Sequence, residues 1–358
     1  MLPAHVFRLP PFPTTQAYNT GEPRTADLPL CLRTMDPFEQ AYILTGPTAS
    51  GKSALALELA ERIGGEIIAL DSMTVYRGMD IGTAKPSPAE RRRIPHHLID
   101  VLDPWQGLNV AWWLEQAERV CRDILARGRR PIFVGGTPLY LKVLLFGLFP
   151  GPPAHEQLRR QLQEEAEQMG AAVLHARLAQ VDPKTAARLH PNDLRRIIRA
   201  LEVFHLTGRP ISEWQTTWDT PAFAAPNRAA VCRRIPAVVL TLPRDVLYRR
   251  IEQRIDHMLQ AGWLEEVRRL RDLPHPLSRE ARQALGYRQI LDYLEGRLPN
   301  WHHTVECIRI RTRQFAKHQL TWFRHIPQLI PVSVEDSDAT SHILDQWKSF
   351  HIKEQFFR

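Results

Sequence analysis

The sequence predicts an α/β fold in which a parallel sheet is covered by helices on both faces and an all-helical segment is inserted. Three observations predict it. Short apolar runs alternate with stretches of helical periodicity, the pattern of strand–helix–strand crossovers. The run GPTASGKS at 46–53 lies between one such apolar run and one such helix. Strand signals then vanish between 154 and 224 and return at Pro236.

The first strand is Ala41-Tyr42-Ile43-Leu44-Thr45. The run that follows fits G-x-x-x-x-G-K-[ST]: Gly46, Gly51, Lys52 and Ser53 take the fixed places, with Pro47, Thr48, Ala49 and Ser50 between them. The glycines let the loop bend so that successive backbone N–H groups point at phosphate oxygens. Lys52 adds positive charge, and the Ser53 hydroxyl suits a magnesium ion (Mg2+). Leu55, Leu59 and Ile63 repeat at helical spacing until Gly64-Gly65 stops the helix. Strand, glycine loop and helix N-terminus are the context a phosphate site needs, and the motif together with both flanks outweighs the alternative of a plain glycine turn between a strand and a helix. The fold class is therefore P-loop NTPase-like.

A second strand, Glu66–Leu70, ends at Asp71-Ser72, and a third, Pro131–Val134, ends at Gly135-Gly136-Thr137. Between them Trp113, Ala117, Val120 and Ile124 mark a helix closed by Gly128. Ligands of such sheets sit at the carboxyl ends of the strands, so the loop, Asp71 and Gly135-Gly136-Thr137 are expected around one crevice. In the insertion, Leu158, Leu162, Ala166 and Met169 form one helical stripe. Asp193 is placed to cap a helix whose Leu194, Ile197, Ile198, Leu201 and Phe204 face a core, ended by Gly208-Arg209-Pro210. Pro- and Ala-rich residues 221–226 return the chain to the strand Pro236–Thr241. Helices follow, with Arg250 and Arg254 on one basic face and several cations among Phe315, Trp322 and Phe323. The expected division is a Pro-rich disordered extension over 1–39, with translation starting at Met35 as the alternative. A catalytic core then covers 40–153 and 225–335, the insertion 154–224, and a tail without readable signal 336–358.

Composition narrows the class. In 358 residues a 44% hydrophobic share permits a sizeable core, and no apolar run spans a membrane. The net charge of +8 suits a nucleic-acid partner. Cys31, Cys121, Cys232 and Cys307 are scattered and form no C-x-x-C pair, which favours a reducing compartment and argues against zinc.

Asp71 after an apolar strand is a catalytic or magnesium-binding acid on one reading and a turn residue on the other. An ATP-hydrolysing P-loop protein usually carries an acid at the end of another apolar strand; here that strand ends in Gly-Gly-Thr. Arg195, Arg196 and Arg199 lie on one predicted helix, either as a solvated basic face or as a track for RNA phosphates. The pairs His96-His97 and His302-His303 lack metal-ligand spacing. Two classes remain open from the residues alone: a kinase using ATP, and a transferase that holds another pyrophosphate compound in the loop.

Taken together, the motifs resemble the tRNA dimethylallyltransferase (tRNA isopentenyltransferase) family. The resemblance runs through GPTASGKSALALELA, DSMTVYRGMDIGTAKPS from Asp71, PHHLIDVLDP from Pro95 and PIFVGGTPLYLKVLLFGL from Pro131. It continues through VDPKTAARLHPNDLRRIIRALEV from Val181, RIEQRIDHMLQAGWLEEVRRL from Arg250, QALGYRQI from Gln283 and RQFAKHQLTWFR from Arg313. GMDIGTAKP is specific to the family, whereas the phosphate loop is not. Eukaryotic members of the family carry a C-terminal zinc finger; the residues here show no such pattern, so the resemblance implies the bacterial type as the expectation.

The resemblance implies transfer of a dimethylallyl group from dimethylallyl diphosphate to N6 of adenosine 37 in tRNAs that read codons beginning with U. Diphosphate is then the leaving group, and the loop residues Gly46 to Ser53 hold it with Mg2+ on Ser53. Asp71 matches the family's general base, Arg254 its arginine on the leaving diphosphate, and Thr137 the threonine of the Gly-Gly-Thr turn. Asp71, Ser72, Met73 and Thr74 match the segment that grips the target adenosine, Thr74 standing where many members carry Gln. Arg195, Arg196, Arg199, Gln283 and Arg288 match segments that contact tRNA, the anticodon stem-loop being the expected partner. A monomeric cytoplasmic enzyme with no membrane partner is the expectation.

Overall fold

The computed structural model describes residues 36–148, 151–214 and 233–355, the last five without their side chains. The Pro-rich segment before Asp36 and the returning stretch 221–226 lie outside these residues. A 3-10 turn, Pro37–Gln40, leads into strand β1, Tyr42–Thr45. Phe38, within the range assigned by composition to the extension, is buried against Phe133, with ring centroids 5.8 Å apart. The fold thus begins a few residues earlier than proline content suggests.

The elements that follow are helix α1 (Lys52–Ile63), β2 (Gly65–Ala69), α2 (Pro88–Arg93), β3 (His96–His97), α3 (Val110–Ala126), β4 (Arg130–Gly135) and α4 (Pro138–Phe146). The insertion holds α5 (Glu156–Met169), α6 (Ala171–Val181) and α7 (Leu194–Thr207). The chain then forms β5 (Ala237–Thr241), α8 (Arg244–Gln260), α9 (Trp263–Arg271), α10 (Tyr287–Leu294), α11 (Trp301–Arg324), β6 (Leu329–Ser333) and α12 (Ala339–Gln355).

The six strands make one sheet in the order β3-β2-β4-β1-β5-β6, and every pairing is parallel. Neighbouring residues on a strand point to opposite faces, so a sheet covered on both sides needs continuous apolar runs. Ile43, Ile68 and Phe133 pack with Trp113 and Leu141 on one face. Their neighbours Leu44, Ile67 and Ile132 pack with Leu59, Ile343 and Trp347 on the other. The segment 336–358, silent in sequence, supplies part of that second layer: Trp347 stacks on Tyr42 at 4.6 Å.

The insertion has a core of its own, built from Leu162, Leu174, Leu178, Ile197, Leu201 and Ile211. Met169, the last residue of the expected stripe, is exposed instead. Asp193 sits at the start of α7, but its carboxylate pairs with Arg196 at 3.0 Å rather than capping a backbone N–H. A buried carboxylate, Glu202, accepts from the His155 N–H at 2.7 Å and from Arg159 at 2.9 and 3.0 Å, tying α5 to α7. A fourth hydrophobic cluster joins Val75, Tyr76 and Met79 to α8, α9, α10 and α11. The tandem histidines His96-His97 are the short edge strand β3, and His97 pairs with Glu66 at 2.7 Å.

Candidate active site

Three loops emerge from the carboxyl ends of β1, β2 and β4, and they meet. The first is the glycine loop. Gly51 leads into α1 at φ +90°, a conformation that ordinary side chains avoid. Lys52 folds back, and its Nζ donates to the carbonyls of Gly46 at 2.8 Å and Pro47 at 2.6 Å. Burial pushes the Lys52 pKa down to about 7; the Arg254 cation pushes the same way, and the Asp71 carboxylate opposes both. A cation held in so dry a place favours any anion that can reach it. A helix N-terminus leaves its first backbone N–H groups without intrahelical partners, and Lys52, Ser53 and Ala54 of the first turn of α1 line the same cavity.

The second loop carries Asp71. Its Oδ1 accepts from the N–H groups of Met73 at 2.7 Å and Thr74 at 3.1 Å, an Asx turn that fixes the carboxylate. Oδ2 has no hydrogen-bond partner among the described residues. The Ser72 N–H donates to Thr137 Oγ1 at 3.3 Å, which joins this loop to the third.

The third loop is Gly135-Gly136-Thr137. A Cβ on Gly136 would come within 2.6 Å of Gln319 Nε2 and 2.8 Å of the Gly46 carbonyl, so only glycine lets these segments converge. Gln319, buried on α11, accepts from the Thr48 N–H at 2.9 Å and donates to the Gly136 carbonyl at 2.7 Å. One side chain thereby pins the phosphate loop to the Gly-Gly-Thr turn. Sequence reasoning missed Gln319; its only signal was its place within RQFAKHQLTWFR.

GMDIGTAKP, residues 78–86, forms one wall. Buried Glu266 on α9 accepts from the backbone N–H groups of Asp80 at 3.0 Å, Ile81 at 2.8 Å and Gly82 at 3.3 Å, and from the Tyr287 hydroxyl at 2.6 Å. Lys85 turns inward to the Tyr76 carbonyl, to Asp80 at 2.7 Å and to Asp100 at 2.5 Å. The segment 78–86 is thus a strap held by Glu266 at residues 80–82 and by Lys85 near its end.

These parts enclose a cavity of about 1280 Å³ lined by Thr48 to Ser53, Asp71, Thr74, Gly135-Gly136, Arg250, Arg254, Phe315 and Gln319. That exceeds the roughly 300–1,000 Å³ of an ordinary small-molecule site, which leaves room for a small donor and a nucleobase together. Ser72, Met73 and Thr137 stand beside the cavity rather than in its wall. The Thr74 hydroxyl, in the wall, is buried without a hydrogen-bond partner. Arg254 lies deep in the cavity; burial lowers its pKa, and nearby Asp71 opposes the shift.

The remaining residues singled out in the sequence lie elsewhere. Arg195 and Arg196 are exposed on α7. Arg199 turns inward, pairing with Glu202 at 2.5 Å and donating to the Pro152 carbonyl at 2.8 Å. Gln283 and Arg288 are exposed around the start of α10, where Arg288 stands 3.8 Å from Asp292.

Fold and site define the class first: a P-loop α/β protein that brings a phosphate cradle and a carboxylate into one cavity. The model of the family described as IPP transferase matches residues 74–326, and that of isopentenyl transferase matches 39–100. A tRNA dimethylallyltransferase of Geobacter metallireducens is 51% identical over 80% of this chain and 90% of its own length. The corresponding protein of Pelotomaculum thermopropionicum is 44% identical over 83% and 92%. Among solved structures, the full-length tRNA isopentenylpyrophosphate transferase from Bacillus halodurans matches with a TM-score of 0.63 and 35% identity, covering 88% of this chain and 99% of that one. A eukaryotic dimethylallyltransferase acting on tRNA matches with a TM-score of 0.65 and 28% identity, covering 88% and 77%. The chain belongs to the tRNA dimethylallyltransferase family.

Proposed function

We propose that the protein transfers the dimethylallyl group of dimethylallyl diphosphate to N6 of adenosine 37 in tRNAs that read codons beginning with U. The observation that carries this reading is the shared cavity: an anion cradle with two desolvated cations, Lys52 and Arg254, next to a carboxylate with one free oxygen. The adenine N6 attacks the first carbon of the dimethylallyl group. The carbon–oxygen bond breaks, and its electron pair leaves with the diphosphate. Asp71 Oδ2 takes the N6 proton, which offsets the weak nucleophilicity of an aromatic amine. Charge grows on the departing oxygen, where Lys52, Arg254 and the loop N–H groups meet it.

The residues present fit magnesium. The exposed Ser53 residue borders the cavity and its hydroxyl has no hydrogen-bond partner among the described residues, which also contain no cluster of three acidic, His or Cys side chains for a metal. Magnesium is commonly bound by substrate phosphates, waters and one or two protein oxygens, and Ser53 would supply such an oxygen. When bound, the ion would add positive charge against the diphosphate.

An adenine stacked in an anticodon loop cannot reach Asp71, so the base must leave the stack. Exposed Arg195, Arg196, Gln283 and Arg288 would meet the anticodon stem-loop, with Ser72, Met73 and Thr74 beside the flipped base. No helix among the described residues is long and apolar enough to cross a membrane. On this reading the protein acts as a cytoplasmic monomer on its tRNA.

The kinase alternative is not favoured, because the relatives are dimethylallyl-transferring enzymes. Asp71→Ala tests the reading. Turnover of donor and tRNA should fall ~10²–10⁴-fold while tRNA binding largely survives. Unchanged turnover would remove Asp71 from the base role.

A further inference from the structure

We propose that Arg250 is a second diphosphate-binding arginine, reaching the donor from the Gly51 edge of the phosphate loop. The inference rests on the donor diphosphate occupying that loop. Arg250 and Arg254 are four residues apart on α8, so they share a helix face, and both line the cavity. Arg250 is also close to the loop itself: its guanidinium nitrogen lies 3.8 Å from where a Cβ on Gly51 would sit.

The charge pattern of α8 separates Arg250 from an ordinary surface arginine. Nearby carboxylates on the helix are taken by other cations. Asp245 pairs with Arg249 at 2.9 Å, Glu252 with Arg313 at 2.7 Å, and Asp256 with Arg309 at 2.7 Å. Arg250 forms no hydrogen bond or ion pair with any described residue. It also borders a side pocket of about 340 Å³ lined by Asp336 and Asp338, and pairs with neither. A half-buried guanidinium beside a phosphate loop, with no partner among the described residues, has its fork of donors available for phosphate oxygens.

Arg254 lies deeper and faces Asp71, next to the expected site of bond breaking. Arg250, at the loop edge, would hold the phosphate farther from the reacting carbon. Its contribution is then to donor and product affinity more than to the chemical step. That distinguishes it from Arg254, which should govern the rate of bond cleavage.

The test is binding of inorganic pyrophosphate with magnesium to the full chain by calorimetry, for wild type, Arg250→Ala, Arg250→Lys and Lys52→Met. The proposal expects Arg250→Ala to weaken pyrophosphate binding roughly 10-fold or more, as loss of a charge-assisted contact does. Arg250→Lys should recover part of this. The KM for donor should rise with kcat changed much less, and tRNA affinity should stay within about twofold, a selectivity that misfolding would not give. Pyrophosphate affinity of Arg250→Ala within twofold of wild type, with Lys52→Met impaired, overturns the role of Arg250 alone. If wild type binds no pyrophosphate, or Lys52→Met binds it as wild type does, the loop assignment falls and this inference falls with it.

Discussion

Lys52→Met removes a partly buried cation from the cavity wall, and the structure sets the size of the effect. The Lys52 pKa drops from 10.5 to about 7, or about 3.5 units (10.5 − 7). At about 1.4 kcal/mol per unit, carrying the charge into the fold costs about 5 kcal/mol at low pH. The substitution also leaves the carbonyls of Gly46 and Pro47 without their Nζ donor, at about 1 kcal/mol each. Ligand-free Lys52→Met should therefore be more stable than wild type by about 3 kcal/mol at or just below pH 7. The folded pKa lies below the unfolded one, so between about pH 7 and 10.5 the unfolded chain holds the extra proton. Wild type then gains stability as pH rises, and by about pH 9 the two proteins should be nearly equal. Urea unfolding at pH 7 and pH 9 without ligand measures the gap. A variant less stable than wild type at pH 7, or a gap that does not shrink by pH 9, refutes the reasoning. Greater stability with lost turnover would mark Lys52 as a residue kept for function.

Gln319→Leu should lower kcat by at least ~10-fold by releasing the Thr48 N–H and the Gly136 carbonyl, with Gln319→Glu failing to restore it; steady-state kinetics with saturating tRNA read this out. Glu266→Ala should destabilise the fold by roughly 3 kcal/mol or more, since three strap N–H groups and the Tyr287 hydroxyl lose their acceptor, and thermal melts will show it. Arg195→Ala with Arg196→Ala should weaken tRNA binding and reduce its salt slope by about 1–2 units. Arg199→Ala, which frees buried Glu202, should instead lower the melting temperature; an unchanged melting temperature would contradict its inward role. Burial alone would raise the Glu202 pKa, but Arg159, the His155 N–H and Arg199 hold it below the usual 4.5. The stability it contributes is present above that value and is lost as pH falls through its lower folded pKa, so melts of the insertion should drop in that acid range.

Much of this molecule is legible in its sequence, for physical reasons. β1, β2, β4 and β5 are largely buried on both faces and mainly apolar, Glu66 and Arg130 apart, so they stand out as short runs. β6 lies at the sheet edge, with Pro331 in its middle and only Leu329 and Val332 buried, and β3 is two histidines. Neither leaves a periodic signal. α12 keeps few fully buried apolar residues, among them Ile343 and Trp347, in a polar stretch. The phosphate loop and Asp71 are local and readable, because each acts through the backbone beside it. Gln319 is not, since it reaches Thr48 from 271 residues away. The inward turn of Arg199 was equally hidden: helical spacing shows which residues share a face, but not which of them a buried carboxylate pulls inside.

The central claim is that the phosphates in the loop are a leaving group and Asp71 prepares the nucleophile. Incubating the protein with unmodified tRNA, dimethylallyl diphosphate and magnesium, without ATP, and analysing the nucleosides by mass spectrometry tests it most directly. The account predicts N6-dimethylallyladenosine at position 37 with pyrophosphate released in equal amount. Absence of that nucleoside, or its formation only when ATP is added and consumed, would contradict it.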